Sequence, residues 1–225
     1  MGKMSDVRPV ANELYFLPVA TRVPLKFGPE TLTSVTCARV ALRIEDASGH
    51  TAVGWGETPL SVQWVWPSAL SYEERHTALK DFSLSLARAW ANFDCTGHPM
   101  EIGYAFIEEE LPGLLKAFNT ERGGEAMPWL AALVCCSAFD IALHDAYGAL
   151  HGESVYDIYT GDYMNKDLAA FLEAAEDTDI SFKGLYPADF LVSPRPNILP
   201  AWHLVGGKDW IDPEESDGSD PEIGR

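Results

Sequence analysis

Hydrophobic and polar positions alternate from Val35 to Glu45, with Val40, Leu42 and Ile44 set against Arg39, Ala41 and Arg43. A period of two predicts a half-buried β-strand. Asp46-Ala47-Ser48-Gly49 has turn chemistry, and Thr51 to Glu57 returns as the partner strand of a hairpin. Upstream, Glu13 to Val19 predicts a short first strand, and the Pro/Gly-rich stretch Pro24 to Thr31 reads as the loop that follows it. A second loop, Thr58 to Pro67, follows the hairpin.

Beyond residue 70 the period changes. Ser71 is a helix cap with Glu73 and Glu74 in the first turn, where carboxylates suit the helix dipole. Leu79, Phe82, Leu86, Trp90 and Phe93 recur at spacings of three and four and mark one buried face. Gly97-His98-Pro99 ends that helix; Glu101 to Leu111 predicts a shorter one, broken at Pro112-Gly113. Pro128 opens a long helix to about Leu150, apolar on most sides and so expected between layers. After Gly152 the pattern weakens. Lys166 to Ala175 fits one amphipathic helix, Ser181 to Pro196 fits nothing regular, and Leu199 to Gly207 resembles a buried parallel strand. No internal repeat is present. Strands followed by helices predict an α+β domain: an antiparallel three-stranded β-meander, then helices.

Charge narrows the partners. Sixteen basic residues against 34 acidic ones leave a formal net charge of −18. That balance argues against nucleic acid and anionic membrane surfaces. Asp209, Asp212, Glu214, Glu215, Asp217, Asp220 and Glu222 form a run without a basic residue, which is expected to be a solvated tail. Cys37, Cys95, Cys135 and Cys136 form no Cys-x-x-Cys pair, Cys135 and Cys136 are adjacent in an apolar run, and all four are expected to be buried free thiols in a reducing cytosol. Met1 to Val10 lacks the apolar core of a signal peptide, and no uninterrupted apolar run approaches the ~20 residues that span a bilayer. A cytoplasmic protein is expected.

Few side chains suggest chemistry directly. Asp140 and His144 stand four apart on one helix face with Asp145 adjacent, a spacing that suits a structural pair better than a metal site lacking third and fourth ligands. The acidic tail has neither the glycine nor the spacing of an EF-hand loop. Neither a Gly-rich phosphate loop nor a Gly-x-Ser-x-Gly element occurs.

Two segments carry a resemblance to a known family. Gly54-Trp55-Gly56-Glu57-Thr58 is similar to the GxGE segment of the N-terminal capping domain in the enolase superfamily. Ser137 to Gly152 resembles the superfamily's helix of pattern A-x-D-x-A-x-x-D-x-x-G-K-x-x-G, through Ala138, Asp140, Ala142, Asp145, Gly148 and Gly152. The chain departs from the pattern at Ala149 (usually Lys), at Ser154 (usually Pro) and at Ile158-Tyr159-Thr160-Gly161 (usually Leu-Leu-Gly-Gly). The resemblance, to the mandelate racemase/muconate lactonizing branch, spans about residues 10 to 162. It implies a capping domain over 1–162, an insertion or linker over 163–196, and the first barrel strand with the acidic tail over 197–225. Only the start of a (β/α) barrel is expected, since a barrel takes ~250 residues.

What the resemblance implies for function follows the family. A Lys or His base removes the proton α to a carboxylate, and Mg²⁺ held by three acidic residues stabilises the enediolate, leading to racemisation, cycloisomerisation or dehydration. No Lys-x-Lys occurs, and no catalytic or metal-binding residue of the family maps onto this chain, so no catalysis is expected from it alone and Mg²⁺ is expected only for the complete family enzyme. The family's two capping loops, which choose the carboxylate substrate, correspond to Leu25 to Thr33 and Pro59 to Pro67. The candidate specificity residues are therefore Lys26, Phe27, Thr31, Gln63, Trp64 and Trp66, with His203 at the end of the expected barrel strand. Three readings stay open: the N-terminal part of such an enzyme, a non-catalytic binding module that self-associates or meets a partner, and one half of a split enzyme completed by a separate barrel chain.

Overall fold

Strand β2, Glu30–Asp46, runs through the middle of the sheet and shows why the sheet has two unlike faces. Ala38, Val40, Leu42 and Ile44 are fully buried on one face, while Arg39 and Arg43 project from the other. A computed structural model describes residues 2–27 and 30–202, with the side chains at 22, 23, 26, 27 and 30 outside that description. Strand β1, Val7–Phe27, and strand β3, Thr51–Pro59, flank β2 in an antiparallel sheet of order β1-β2-β3. The β2–β3 turn is tied by Asp46, whose Oδ1 accepts from the Ser48 and His50 backbone N–H groups at 2.8 and 2.9 Å, with Gly49 at φ 83°. The meander and the α+β class thus match the sequence reading.

The first strand is much longer than Glu13 to Val19. β1 and β2 continue as a two-stranded arm to Lys26 opposite Thr31, so the expected loop at Pro24 to Thr31 is the end of a hairpin. Pro9 and Pro24 hid this. Each lacks an N–H, but β1 is an edge strand, where a missing donor breaks no ladder. Register shifts between Pro9 and Ala11, and between Ala20 and Leu25, absorb the irregularity.

Helix α1, Val62–Val65, is a single turn; helix α2, Tyr72–Ala91, begins at a full capping box. There Ser71 Oγ accepts from Glu74 N at 3.2 Å and the Glu74 carboxylate accepts from Ser71 N at 3.0 Å. Leu79, Phe82, Leu86 and Trp90 form its buried face, as expected. The region after it corrects the sequence reading. Helix α3, Pro99–Ala105, passes through a π turn, Phe106–Glu110, directly into helix α4, Leu111–Arg122. Pro112 therefore does not end the helix. Its ring would strike the carbonyl one turn back in a regular α-helix; the wider π turn just before it, where Leu111 N donates to Phe106 O, relieves that crowding.

Helix α5, Trp129–His151, lies on the inner face of the sheet with α2 beside it, and Gly152 caps it in the left-handed conformation. By length and composition it could cross a membrane, but half of its apolar window is buried within this fold. Trp90 joins the layers, stacking on Phe106 at 4.1 Å and facing Phe139 at 6.3 Å. Packing continues past α5 through Ile158, Met164 and Leu168. The amphipathic helix expected at Lys166 to Ala175 is only a 3₁₀ turn, Leu168–Ala170. The strand expected from Leu199 is absent over residues 199–202, where Leu199 and Trp202 are exposed. A parallel strand needs a neighbour, and the described residues offer none beyond the three-stranded sheet. The remainder of that expected strand, His203 and the acidic run lie outside the described residues.

Candidate functional site

The loop after the hairpin folds back onto the long β-arm. Leu60 N donates to Thr36 O at 2.8 Å as the chain leaves β3. Leu60, Val62, Val65 and Trp66 are buried, so the single turn of α1 directs Gln63 and Trp64 outward. Gln63 then lines one groove of about 380 Å³ with Thr31, Leu32, Thr33, Ser34 and Tyr72. Two of the sequence candidates, Thr31 and Gln63, are brought together in this way although 32 positions separate them in the chain.

The far wall comes from α2. Tyr72 is its first residue, placed by the Ser71 cap, and the His76 ring stacks on Tyr72 one turn later at 5.5 Å. His76 Nε2 lies 2.9 Å from Thr36 Oγ1, so the same β2 residue that receives Leu60 also anchors this ring. Burial, then the nearby Lys80, hold the His76 imidazole below its ordinary range, which keeps it neutral at neutral pH. Among the described residues the groove is lined by Thr31, Leu32, Thr33, Ser34, Gln63 and Tyr72, none of them charged. Side chains of these types can orient a polar ligand by hydrogen bonds, and none of the six is a group poised to move a proton.

The other candidates separate. Trp64 is 51% exposed but does not line the groove. Trp66 is 1% exposed, donates its indole N–H to Glu125 Oε1 at 2.9 Å, and lies beneath the Arg122 guanidinium at 4.9 Å. It anchors the loop to the α4–α5 connection and is no part of an open aromatic wall. Lys26 and Phe27 are placed by their backbones opposite Thr31 and Glu30. Ser34, Tyr72 and His76 were missed from sequence; the only signal was Tyr72 and His76 four apart beside a cap.

The two motif segments meet in space. Gly54 and Gly56 press the hairpin onto α5 at Ala138, Ala142 and Ala146, where a Cβ on either glycine would collide with α5 backbone atoms. Asp145 then reaches the strand edge and accepts the Trp55 backbone N–H at 2.8 Å. Asp140 and His144 turn elsewhere. His144 Nδ1 is 2.7 Å from the Tyr159 hydroxyl, while its Nε2 is 3.9 Å from Asp140 Oδ1. Among the described residues no three His, Cys, Asp or Glu side chains gather as a metal site.

No family model matches the sequence, and no curated protein matches it. Solved structures do. The L-Ala-D/L-Glu epimerase from Bacillus subtilis is 21% identical, with a TM-score of 0.43, over 68% of this chain and 34% of the epimerase. An L-talarate dehydratase from a Polaromonas species, solved with Mg and L-glucarate, is 16% identical with a TM-score of 0.39, over 68% of this chain and 35% of that one. A mandelate racemase/muconate lactonizing enzyme-like protein from Rubrobacter xylanophilus is 20% identical with a TM-score of 0.38, over 67% of this chain and 33% of its own. The chain spans about a third of the length of these structures.

Proposed function

We propose that this chain supplies the capping module of an enzyme of the mandelate racemase/muconate lactonizing type, and that its part is to select a small carboxylate substrate rather than to perform the chemistry. The observation that carries this reading is the convergence of the β1–β2 arm and the loop after β3 on the groove that holds Thr31 and Gln63. The hydroxyl and amide side chains among its described lining residues suit the variable, non-reacting part of a substrate. Proton abstraction next to the carboxylate is assigned to residues outside those described. Mg²⁺ belongs with that chemistry; the described residues offer no three-ligand cluster to hold it, and no step through it is assigned to them.

Titration of the purified chain with small hydroxy- or amide-bearing carboxylates, followed by backbone amide NMR, tests the proposal. Shifts should centre on residues 31–34, Gln63 and Tyr72 and disappear in Gln63→Ala. Shifts centred on the outer face of the sheet would favour a second reading, a non-catalytic module that meets a partner chain. That reading is supported by Tyr15 and Trp55, two exposed rings 6.3 Å apart, set diagonally opposite Arg39 and Ala41 of β2 on the face away from α5.

A further inference from the structure

A second cluster lies where the N-terminus of α3 meets α5 and the residues that follow it. His98 sits at its centre, fully buried. Its Nδ1 accepts the Met100 backbone N–H at 3.2 Å, in the place of a helix N-cap acceptor. An imidazole accepts there only with Nδ1 unprotonated, so the proton rests on Nε2. Nε2 is buried without a hydrogen-bond partner of good geometry, although the Ile158 backbone acts on the ring and favours its charged form. The ring packs edge-on against Tyr147 at 5.0 Å, Tyr159 at 5.7 Å and His144 at 6.3 Å.

Glu101, one turn along, completes the junction. Its carboxylate accepts from His98 N at 3.1 Å, Asn165 N at 2.6 Å, Asn165 Nδ2 at 2.9 Å and Lys166 N at 2.7 Å. Asn165 Nδ2 also donates to Asp6 Oδ1 at 2.8 Å. One neutral imidazole and one carboxylate thus hold the segment after α5 against the start of α3.

We infer that His98 is a proton-sensitive latch: neutral, it caps α3 and seats Tyr159 and the Asn165–Lys166 pair; protonated, it releases residues 158–168 while the sheet and α5 stay folded. Protonation sets an N–H against the Met100 N–H at the positive end of a helix, removing the cap and adding repulsion. The groups that touch or act on the ring are Lys3 from the N-terminal segment, Glu101 from α3, His144 and Tyr147 from α5, and Tyr159 from the segment beyond. One contact further out lie Asp6 and His151 beside Tyr147, Asp140 beside His144, Tyr163 beside His151, and Lys166, whose backbone N–H donates to Glu101. Desolvation, then His144, hold the imidazole down to about 4. An unfolded His takes its proton near 6.5. The depressed value makes the released state the stronger base, so latch stability is whole above pH ~6.5 and is lost as pH falls from there toward 4. The β3–α5 interface at Gly54 and Gly56 does not involve this ring and keeps its packing.

Amide hydrogen exchange on the full chain at pH 7 and pH 5, corrected for intrinsic rates, tests the latch. Protection of the Asn165 and Lys166 amides should fall at least tenfold at the lower pH, with β2 and the middle of α5 unchanged. His98→Asn keeps a cap acceptor that does not titrate and should flatten that dependence; His144→Gln should retain it. An equal fall in His98→Asn, or loss of protection spread evenly over β2 and α5, overturns the proposal. Should His98→Asn fail to fold, ring NMR of the wild-type chain decides. The latch requires the Nε2–H tautomer at pH 7 and a ring titration in step with loss of Asn165 protection. A ring that titrates near 6.5 with those amides still protected overturns it.

Discussion

The Trp55 backbone N–H donates to the Asp145 carboxylate at 2.8 Å, so a helix residue closes the open edge of the outer strand. Among the described residues β3 has a strand partner only on its β2 side, and an unpaired edge invites pairing with another chain. Charge on the acceptor makes this hydrogen bond stronger than a neutral one. Asp145→Ala should lower the urea midpoint by an amount equivalent to about 1–2 kcal/mol. Light scattering should show more self-association than in the wild type, and a variant that is equally stable and equally monomeric would show that the edge needs no guard.

Gly54→Ala and Gly56→Ala should each destabilise by about 3 kcal/mol, the upper range for overpacking. The obstructing atoms are backbone atoms of Ala138, Ala142 and Ala146, so Ala142→Gly should not rescue either variant. Denaturant unfolding of the single and double variants checks this, and rescue would mean that side chains set the contact.

The two tryptophans of the second loop should behave oppositely. Trp66→Ala removes a buried ring with a satisfied indole N–H and should cost about 3–5 kcal/mol. Trp64→Ala, at an exposed position, should change stability by less than about 0.5 kcal/mol. Comparable losses at both sites, measured by thermal or urea unfolding, would contradict the placement of α1.

Burial pushes the Cys135 and Cys136 thiols up to about 12, so both stay protonated in the native state at any ordinary pH. Alkylation at pH 8 followed by mass spectrometry should label Cys95 before either of them, because Cys95 is partly accessible. Rapid native labelling of Cys135 or Cys136 would show that α5 is not closed against α2.

Much of this fold was legible because period and capping agree locally. The alternation through Ile44 located β2, and Ser71 with Glu74 located the start of α2. Prolines misled twice, for opposite reasons. In β1 they lie on an edge that needs no donor; at Pro112 a π turn makes room for the ring. Both accommodations depend on neighbours, which a linear pattern does not contain. The groove was half legible for the same reason. Thr31 and Gln63 fall in the two stretches that the sequence reads as capping loops and were visible as candidates, whereas Tyr72 looks like any first-turn residue until α2 is laid beside Thr36.

The division between selection and chemistry is tested most directly by α-proton exchange in D₂O. The purified chain, with Mg²⁺ and a panel of dipeptides, sugar diacids and mandelate, would be followed by proton NMR. The expected result is no loss of the α-proton signal above the protein-free rate. Mg²⁺-dependent exchange that survives chromatographic purification and is abolished by heat denaturation would contradict the account, because it would place the base and its metal within this chain.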